Sequence, residues 1–412
     1  LSAKAADADT GGVFRGLRVL DFTWAAAGPI ITKYLADQGA TVIKVESSAH
    51  PDSVRFGGPF ANDVPGINRS GFFADFNTSK KSLALNMRRE EARAIARDFV
   101  AWADVITESF TPRVMKQWAF SYDDVQKVNP SIIMLSTCLQ GGTGPYREYA
   151  GYGGQGGALA GIHYLTGWPD RAPAGPKGAY TDTIAPRFGV AVLVAALMYR
   201  ERTGIGQHID LSHMETAAQF LGTEILDYCT NGTPTERQGN RGRWSAPCGA
   251  FPTNGDDCFI TIEVRSDEEW QGLVEAFGSP PDLADDRFAT VLGRKEHEAV
   301  LEEVIGRHTA RASGYDLVLR LQAGGVPAGV VQKGSDLFSD PQLAHRQHFV
   351  PLDHAEMGPL LYNGPAFQLS KTPARLRTGP PLLGEHTRQL LEEVLGMAPE
   401  KIDALMQDGV LV

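Results

Sequence analysis

The chain has 412 residues, 42% hydrophobic and 21% charged, a globular composition too long for one comfortable core, so two domains are the default. A net charge of −10 argues against nucleic acid or an anionic membrane as principal partner, while a local basic patch could still hold an anionic small molecule. Cys138, Cys229, Cys248 and Cys258 form no CxxC pair and no metal-ligand spacing, so free thiols in a reducing compartment and no metal are expected.

The opening residues Leu1-Ser2-Ala3-Lys4 lack the apolar core of a secretory leader. No apolar stretch is read as approaching the ~20 residues that span a bilayer, so the expected location is the cytoplasm. Leu17–Phe22 reads as a buried first strand, Gly28-Pro29 opens an amphipathic helix closed by Gly39, and Thr41–Val45 is a second strand. Strand, helix and strand within about 30 residues make a βαβ unit of a parallel sheet. The helix Arg89–Trp102 and the strands Asp104–Thr107 and Ser131–Thr137 extend the pattern into an α/β domain. The turn Thr23-Trp24-Ala25-Ala26-Ala27-Gly28-Pro29 lacks the GxGxxG fingerprint, which speaks against a dinucleotide cofactor.

Further along, an apolar run from Phe188 to Met198 forms a buried helix, stopped by Arg200-Glu201-Arg202-Thr203-Gly204. Asp182 stands a short step ahead of it. There a carboxylate feels the positive end of the helix dipole and free backbone N–H groups, which favour the ionised form of a nucleophile. The same position suits an ordinary N-cap. Gln207–Ser212 is a strand leading into a helix at Glu215–Tyr228, and the Gly/Pro/Arg-rich segment Asn231–Gly249 reads as a linker or long functional loop. A strand at Cys258–Val264 and helices at Glu268–Phe277, His297–His308 and Tyr315–Ala323 suggest a compact α+β domain. Irregular segments and a last amphipathic helix follow. His163 and His213 have no partner at metal spacing and read as hydrogen-bonding residues. Lys80 and Lys81 read as a solvated turn, with contact to a phosphate as the alternative.

Taken together, the motifs resemble the class III (CaiB/BaiF-type) CoA-transferase family. They are Leu17–Phe22 with Ala27-Gly28-Pro29, Leu35–Glu46, Asn77–Asn86, Ala103–Pro112, Asp182 with Arg200–Gln207, Ala323–Gly329 and Leu383–Thr387, in the family's order from about Gly16 onward. The resemblance implies a Rossmann-like α/β large domain built from both chain ends (1–224 and 331–412), a smaller α+β domain (225–330), and a dimer of interlocked rings. It implies that Asp182 attacks an acyl-CoA thioester to give a mixed anhydride and CoA thiolate, and that CoA then returns to a new acyl group. Coenzyme A or acyl-CoA is thus a substrate, and no permanently bound cofactor is expected.

By family position Arg88 would meet phosphate, Ser109, Phe110 and Thr111 would line the nucleotide, and Thr137, Cys138, Leu139 and Gln140 would run beside pantetheine and thioester. Gln117 would also bind CoA, although Gln117-Trp118 replaces a pair that often contains a basic residue. Ala26, Tyr152 and Arg187 would face the acyl group or acceptor. For each of these, a packed loop or an ordinary surface charge is the competing reading, and for Arg187 it is pairing with a structural carboxylate. A closing loop that shields the anhydride is sought at Pro247-Cys248-Gly249. Arg187, the arginines of Arg237–Arg243 and a resemblance to the benzylsuccinate CoA-transferase branch suggest a dicarboxylic or aryl-substituted dicarboxylic acceptor, with succinyl-CoA as donor. Two alternatives stand beside this reading. One is an α-methylacyl-CoA racemase-like isomerase, against which Tyr152 stands where that branch has a histidine. The other is one subunit of a hetero-oligomeric transferase, so the partner is either a second copy or a related chain.

Overall fold

In the computed structural model the described residues are 11–412. The opening Leu1-Ser2-Ala3-Lys4, read above for a leader, lies outside them. Six parallel strands form the main sheet: β1 (Arg18–Phe22), β2 (Thr41–Glu46), β3 (Lys81–Ala84), β4 (Val105–Glu108), β5 (Ile133–Cys138) and β6 (His208–Ser212). They lie in the order β3-β2-β1-β4-β5-β6, the doubly wound dinucleotide-fold order, without that fold's glycine fingerprint. Registers such as Asp21↔Lys44, Phe22↔Glu108 and Cys138↔Ser212 bring the carboxyl ends of the central strands level.

Helices cover both faces, so successive strand residues bury to opposite sides and each strand reads as a continuous apolar run. Leu20, Ile43, Ile106 and Met134 pack with Ile95, Phe99 and Leu391, from the helices Glu90–Trp102 and Thr387–Leu395. Val19, Val42, Val105 and Ile133 pack with Leu35, Leu193 and Ala196, from Ala27–Asp37 and Tyr180–Thr203. The edge strand β3 is closed by the C-terminal segment, where Ala84 N–H donates to Thr387 Oγ1 at 2.9 Å and Gly384 N–H to Ser82 Oγ at 2.9 Å.

Lys80 is the first correction to the sequence reading. It does not lie in a solvated turn but is buried, its Nζ 2.9 Å from Asn77 Oδ1, 3.0 Å from the Pro29 carbonyl and 3.3 Å from Asp21 Oδ2. Burial draws its pKa down to about 8, against the opposing pull of Asp21. Lys44 with Asp52 and Arg55 with Glu46 form two more buried pairs close by. A charge so placed is tolerated only when paired and hydrogen-bonded.

The helix Tyr180–Thr203 brings the second correction. Its 24 residues are long and apolar enough, by length and composition, to cross a membrane, contrary to the expectation that no stretch approaches that length. Here it packs on the sheet through Ala185, Leu193 and Ala196.

Two compact units divide the chain. The unit holding the large sheet takes the chain up to Ile162, Pro176–Cys229 and Gln342–Val412. Its last part includes an antiparallel hairpin, β10 (Phe349–His354) and β11 (Gly358–Asn363), in a stretch that sequence reads as irregular. The other unit comprises His163–Gly175 and Thr230–Pro341, so it starts five residues later than the 225 read from sequence, ends eleven residues beyond 330, and recruits an extra upstream stretch. Local bonds explain that recruitment: Gly239 N–H donates to the Gly167 carbonyl at 2.9 Å, and Tyr164 donates to Glu236 at 2.7 Å. Its sheet is antiparallel, β7 (Cys248–Pro252), β8 (Phe259–Glu263) and β9 (Ala328–Val330), over a core containing Trp270, Leu301, Ile305 and Leu317. Pro247-Cys248-Gly249 therefore enters a paired strand, which corrects its reading as a closing loop.

Candidate active site

In an open parallel sheet, ligands bind beyond the carboxyl ends of the strands where the strand order reverses. Here that point lies between β1 and β4, and the loops leaving them are tied together by Trp24 N–H donating to Ser109 Oγ at 2.8 Å. A cavity of ≈550 Å³ opens beside this link. Its wall includes Ala26, Ser109, Phe110, Thr111, Thr137, Cys138, Leu139, Tyr152, Asp182 and His213. A second cavity, ≈290 Å³, is lined by His50, Arg88, Gln117 and Trp118. Trp24, Phe110 and Val114 border both. The rings of Trp24, Phe110 and Trp118 stand edge to face at 5.3 Å each, forming an apolar ridge between the two spaces.

Most of the sequence-derived residues thus meet around these two cavities; Gln140 and Arg187 do not. Gln140 is absent from either wall. Arg187 lines a different cavity of ≈320 Å³ with Lys33, Tyr34 and His348, its guanidinium 5.5 Å from the Tyr34 ring centre. The reason is helical geometry: five residues after Asp182, at 3.6 residues per turn, a side chain points about 140° away. The arginines of Arg237–Arg243 are engaged within the smaller unit. Arg237 donates to the Tyr164 carbonyl, Arg241 pairs with Glu302 at 2.7 Å, and Arg243 stands over Trp244.

Asp182 proves not to be a cap. The helix begins at Tyr180 with Ala179 as its N-cap, so Asp182 occupies the first turn with its side chain almost buried. Pro186 has no N–H to offer the Asp182 carbonyl four residues back, so that oxygen lacks its helical partner. Gly153 presses against the carboxylate: a Cβ there would stand 2.8 Å from Asp182 Cγ and 2.7 Å from its backbone nitrogen. Gly156 packs as closely on Thr181, where a Cβ would meet Oγ1 at 2.5 Å.

His213, read from sequence only as a hydrogen-bonding residue, lies in this site. Its Nδ1 is 3.4 Å from Asp182 Oδ1 and its Nε2 is 2.8 Å from Thr137 Oγ1. Glu108 was not singled out at all. At the carboxyl end of β4 it is buried, accepts from Phe110 N–H at 2.8 Å, and burial pushes its pKa up to about 7, against hydrogen bonds from Ser136 and Phe110. Burial, with Glu108 and Asp210 adding negative charge, raises the Cys138 thiol to about 11, which makes it a poor nucleophile. The available signal was positional: Glu108, Thr137 and His213 all fall at the ends of parallel strands. Among the described residues no cluster of His, Cys, Asp and Glu could hold a metal.

An ionisable carboxylate at a helix start, open to a cavity at the sheet's switch point, suits covalent acyl chemistry. The sequence profile of CoA-transferase family III matches residues 14–387, and the chain belongs to that family. It is a CoA-transferase, an enzyme class whose substrates are acyl-CoA and carboxylic acids. It is 31% identical to a succinyl-CoA–D-citramalate CoA-transferase of Chloroflexus aurantiacus, over 96% of this chain and 97% of that one. It is 30% identical to the beta subunit of the succinyl-CoA–L-malate CoA-transferase of the same organism, over 96% and 97%. The crystal structure of a CaiB/BaiF family protein from Brucella suis superposes with a TM-score of 0.85 at 32% identity, covering 93% of this chain and all of that one.

Proposed function

We propose that Asp182 is the nucleophile of a CoA transfer from succinyl-CoA to a dicarboxylic acid. The observation that carries it is the almost buried Asp182 carboxylate in the first turn of a long helix, facing the cavity at the switch point. Its oxygen attacks the thioester carbonyl carbon, the C–S bond breaks, and CoA leaves as the thiolate. The incoming carboxylate attacks the Asp182 carbonyl carbon of the anhydride and displaces succinate, and thiolate attack on the acceptor's carbonyl carbon in the new anhydride gives the product acyl-CoA and frees Asp182. No proton needs to move. The pantetheine arm would follow the ridge of Trp24 and Phe110, with Ser109, Thr111, Thr137, Cys138 and Leu139 beside it, while the nucleotide lies toward Gln117 and Arg88 in the second cavity.

Support for a dicarboxylic acceptor comes from the two relatives, named for citramalate and malate. Arg187 gives it none, because it faces another cavity. The wall around Asp182 offers no lysine or arginine among the described residues, so the hydroxyls of Tyr149 and Tyr152 and the Gln155 amide would meet a second carboxylate. The isomerase alternative needs an acid and a base on opposite faces of the α-carbon. Asp182 and His213 stand only 3.4 Å apart, too close to flank an α-carbon from opposite faces.

The family-type ring dimer, or a pairing with a related subunit, is supported by apolar surface left uncovered in this chain. Phe188, Met198 and Tyr199 are exposed on the long helix, and the helix Gly222–Asn231 buries none of its residues, leaving Ile225, Leu226 and Tyr228 outside. The deciding experiment is Asp182→Asn, which keeps the shape and removes the attacking oxyanion. Transfer should be lost, and so should the hydroxamate that hydroxylamine traps from wild type given succinyl-CoA. Near wild-type turnover by Asp182→Asn would refute the mechanism.

A further inference from the structure

We propose that His213 is a positioning residue that fixes which oxygen of Asp182 attacks; this rests on Asp182 being the nucleophile. The ring is held from both ends. Ser212 caps the helix His213–Ala218 by accepting from Glu215 N–H at 3.2 Å, and Met214 N–H donates to the Leu139 carbonyl at 3.0 Å. The register Thr137↔Leu211 and Cys138↔Ser212 then sets Thr137 beside the imidazole, with Oγ1 at 2.8 Å from Nε2.

This arrangement selects one tautomer. An ionised carboxylate only accepts hydrogen bonds, so the ring nitrogen facing it carries the proton. Nδ1 therefore donates toward Asp182 Oδ1, and a neutral ring must accept at Nε2, where the Thr137 hydroxyl donates. The 3.4 Å separation is long for a hydrogen bond, as such contacts are before substrate engages. With Oδ1 held by the imidazole, Oδ2 is the oxygen left for the thioester carbon. On attack Oδ2 becomes the bridging oxygen of the anhydride and Oδ1 its carbonyl oxygen, still facing Nδ1–H. The same donor thus serves carboxylate and anhydride, and no proton is transferred.

Gly153 also packs on the carboxylate, since a Cβ there would stand 2.8 Å from Asp182 Cγ. Oxygen choice is thereby set by the imidazole donor, in a pocket that close packing leaves little room to shift. Neither residue needs to touch CoA for this. The effect belongs to the chemical step and not to substrate binding.

The test compares His213→Leu, His213→Asn and Thr137→Val in the full-length enzyme with succinyl-CoA. An asparagine amide can place an N–H near the position of Nδ1, whereas leucine offers no donor. His213→Leu should lower kcat and the rate of hydroxamate trapping by about 10- to 100-fold, the scale of one hydrogen bond to a charged group, with KM for acyl-CoA little changed. His213→Asn should recover most of that loss, and Thr137→Val should fall between them because the ring loses its tautomer lock. Equal kcat in His213→Leu and wild type would overturn the proposal, as would equal losses in the leucine and asparagine variants. If those results came with an inactive Asp182→Asn, the nucleophile would stand and only the role of His213 would fail. An active Asp182→Asn would remove both.

Discussion

Gly153 and Gly154 are neighbours with opposite environments, and replacing each by alanine separates helix propensity from the geometry of the site. A Cβ at Gly153 would lie 2.7 Å from Asp182 N, 2.8 Å from the Ala179 carbonyl oxygen and 2.8 Å from Asp182 Cγ, whereas one at Gly154 would meet nothing within 4 Å. Ordinary contact begins near 3.4 Å, so Gly153→Ala must push the two segments apart by about 0.6 Å, against backbone that cannot swing aside. Overpacking of that kind costs about 1–3 kcal/mol, and moving a nucleophile by a comparable distance costs about 10- to 100-fold in rate. Gly154→Ala instead gains up to about 1 kcal/mol of helix propensity. Thermal unfolding and kcat with succinyl-CoA should therefore split the pair. Gly153→Ala should be less stable and at least about 10-fold slower, and Gly154→Ala at least as stable and close to wild type in turnover. Indistinguishable kcat values for the two variants would refute the claim that this glycine shapes the nucleophile's pocket.

Two other perturbations test the buried charges. Glu108 favours its protonated form when folded, so its penalty is absent below the unfolded value of 4.5 and complete above about 7. At about 1.4 kcal/mol per pH unit the difference amounts to about 3 kcal/mol, so the stability of Glu108→Gln relative to wild type should rise between pH 4.5 and 7. Denaturant melts at pH 5 and pH 8 giving the same difference would contradict this. Lys80→Met should destabilise the protein by about 3–5 kcal/mol by leaving Asp21 buried without its closest lysine, and Lys80→Met with Asp21→Asn should recover part of that loss. A double variant no more stable than the single one would mean that Asp21 gains nothing from this lysine.

How much was legible in the sequence depended on whether the signal was local. The βαβ opening at Leu17–Val45 follows from apolar runs broken by Gly28-Pro29 and Gly39, and those runs bury as read because both sheet faces are covered. Asp182 was visible through its distance from the turn Arg200–Gly204. Its place inside the first turn was not, since Ala179 starts the helix without a capping side chain to mark it. The strand at Cys248–Pro252 was missed because two prolines and a glycine lie in or beside it, and only pairing with β8 makes it a strand. Lys80 looked solvated because its sequence neighbours are polar, and only the fold brings Asp21 and the Pro29 carbonyl to its ammonium.

By itself, then, the sequence determined the parallel α/β class, the family and the acid beside the long helix, because these rest on periodicity and on motifs read within a few residues. The tertiary structure decided which side chains share a cavity. Thr137 and His213 are 76 residues apart and meet through the pairing of β5 with β6, while Arg187, five residues from Asp182, is turned away by the helix. Chain distance predicts neither outcome, because strand register and helical phase fix where a side chain points.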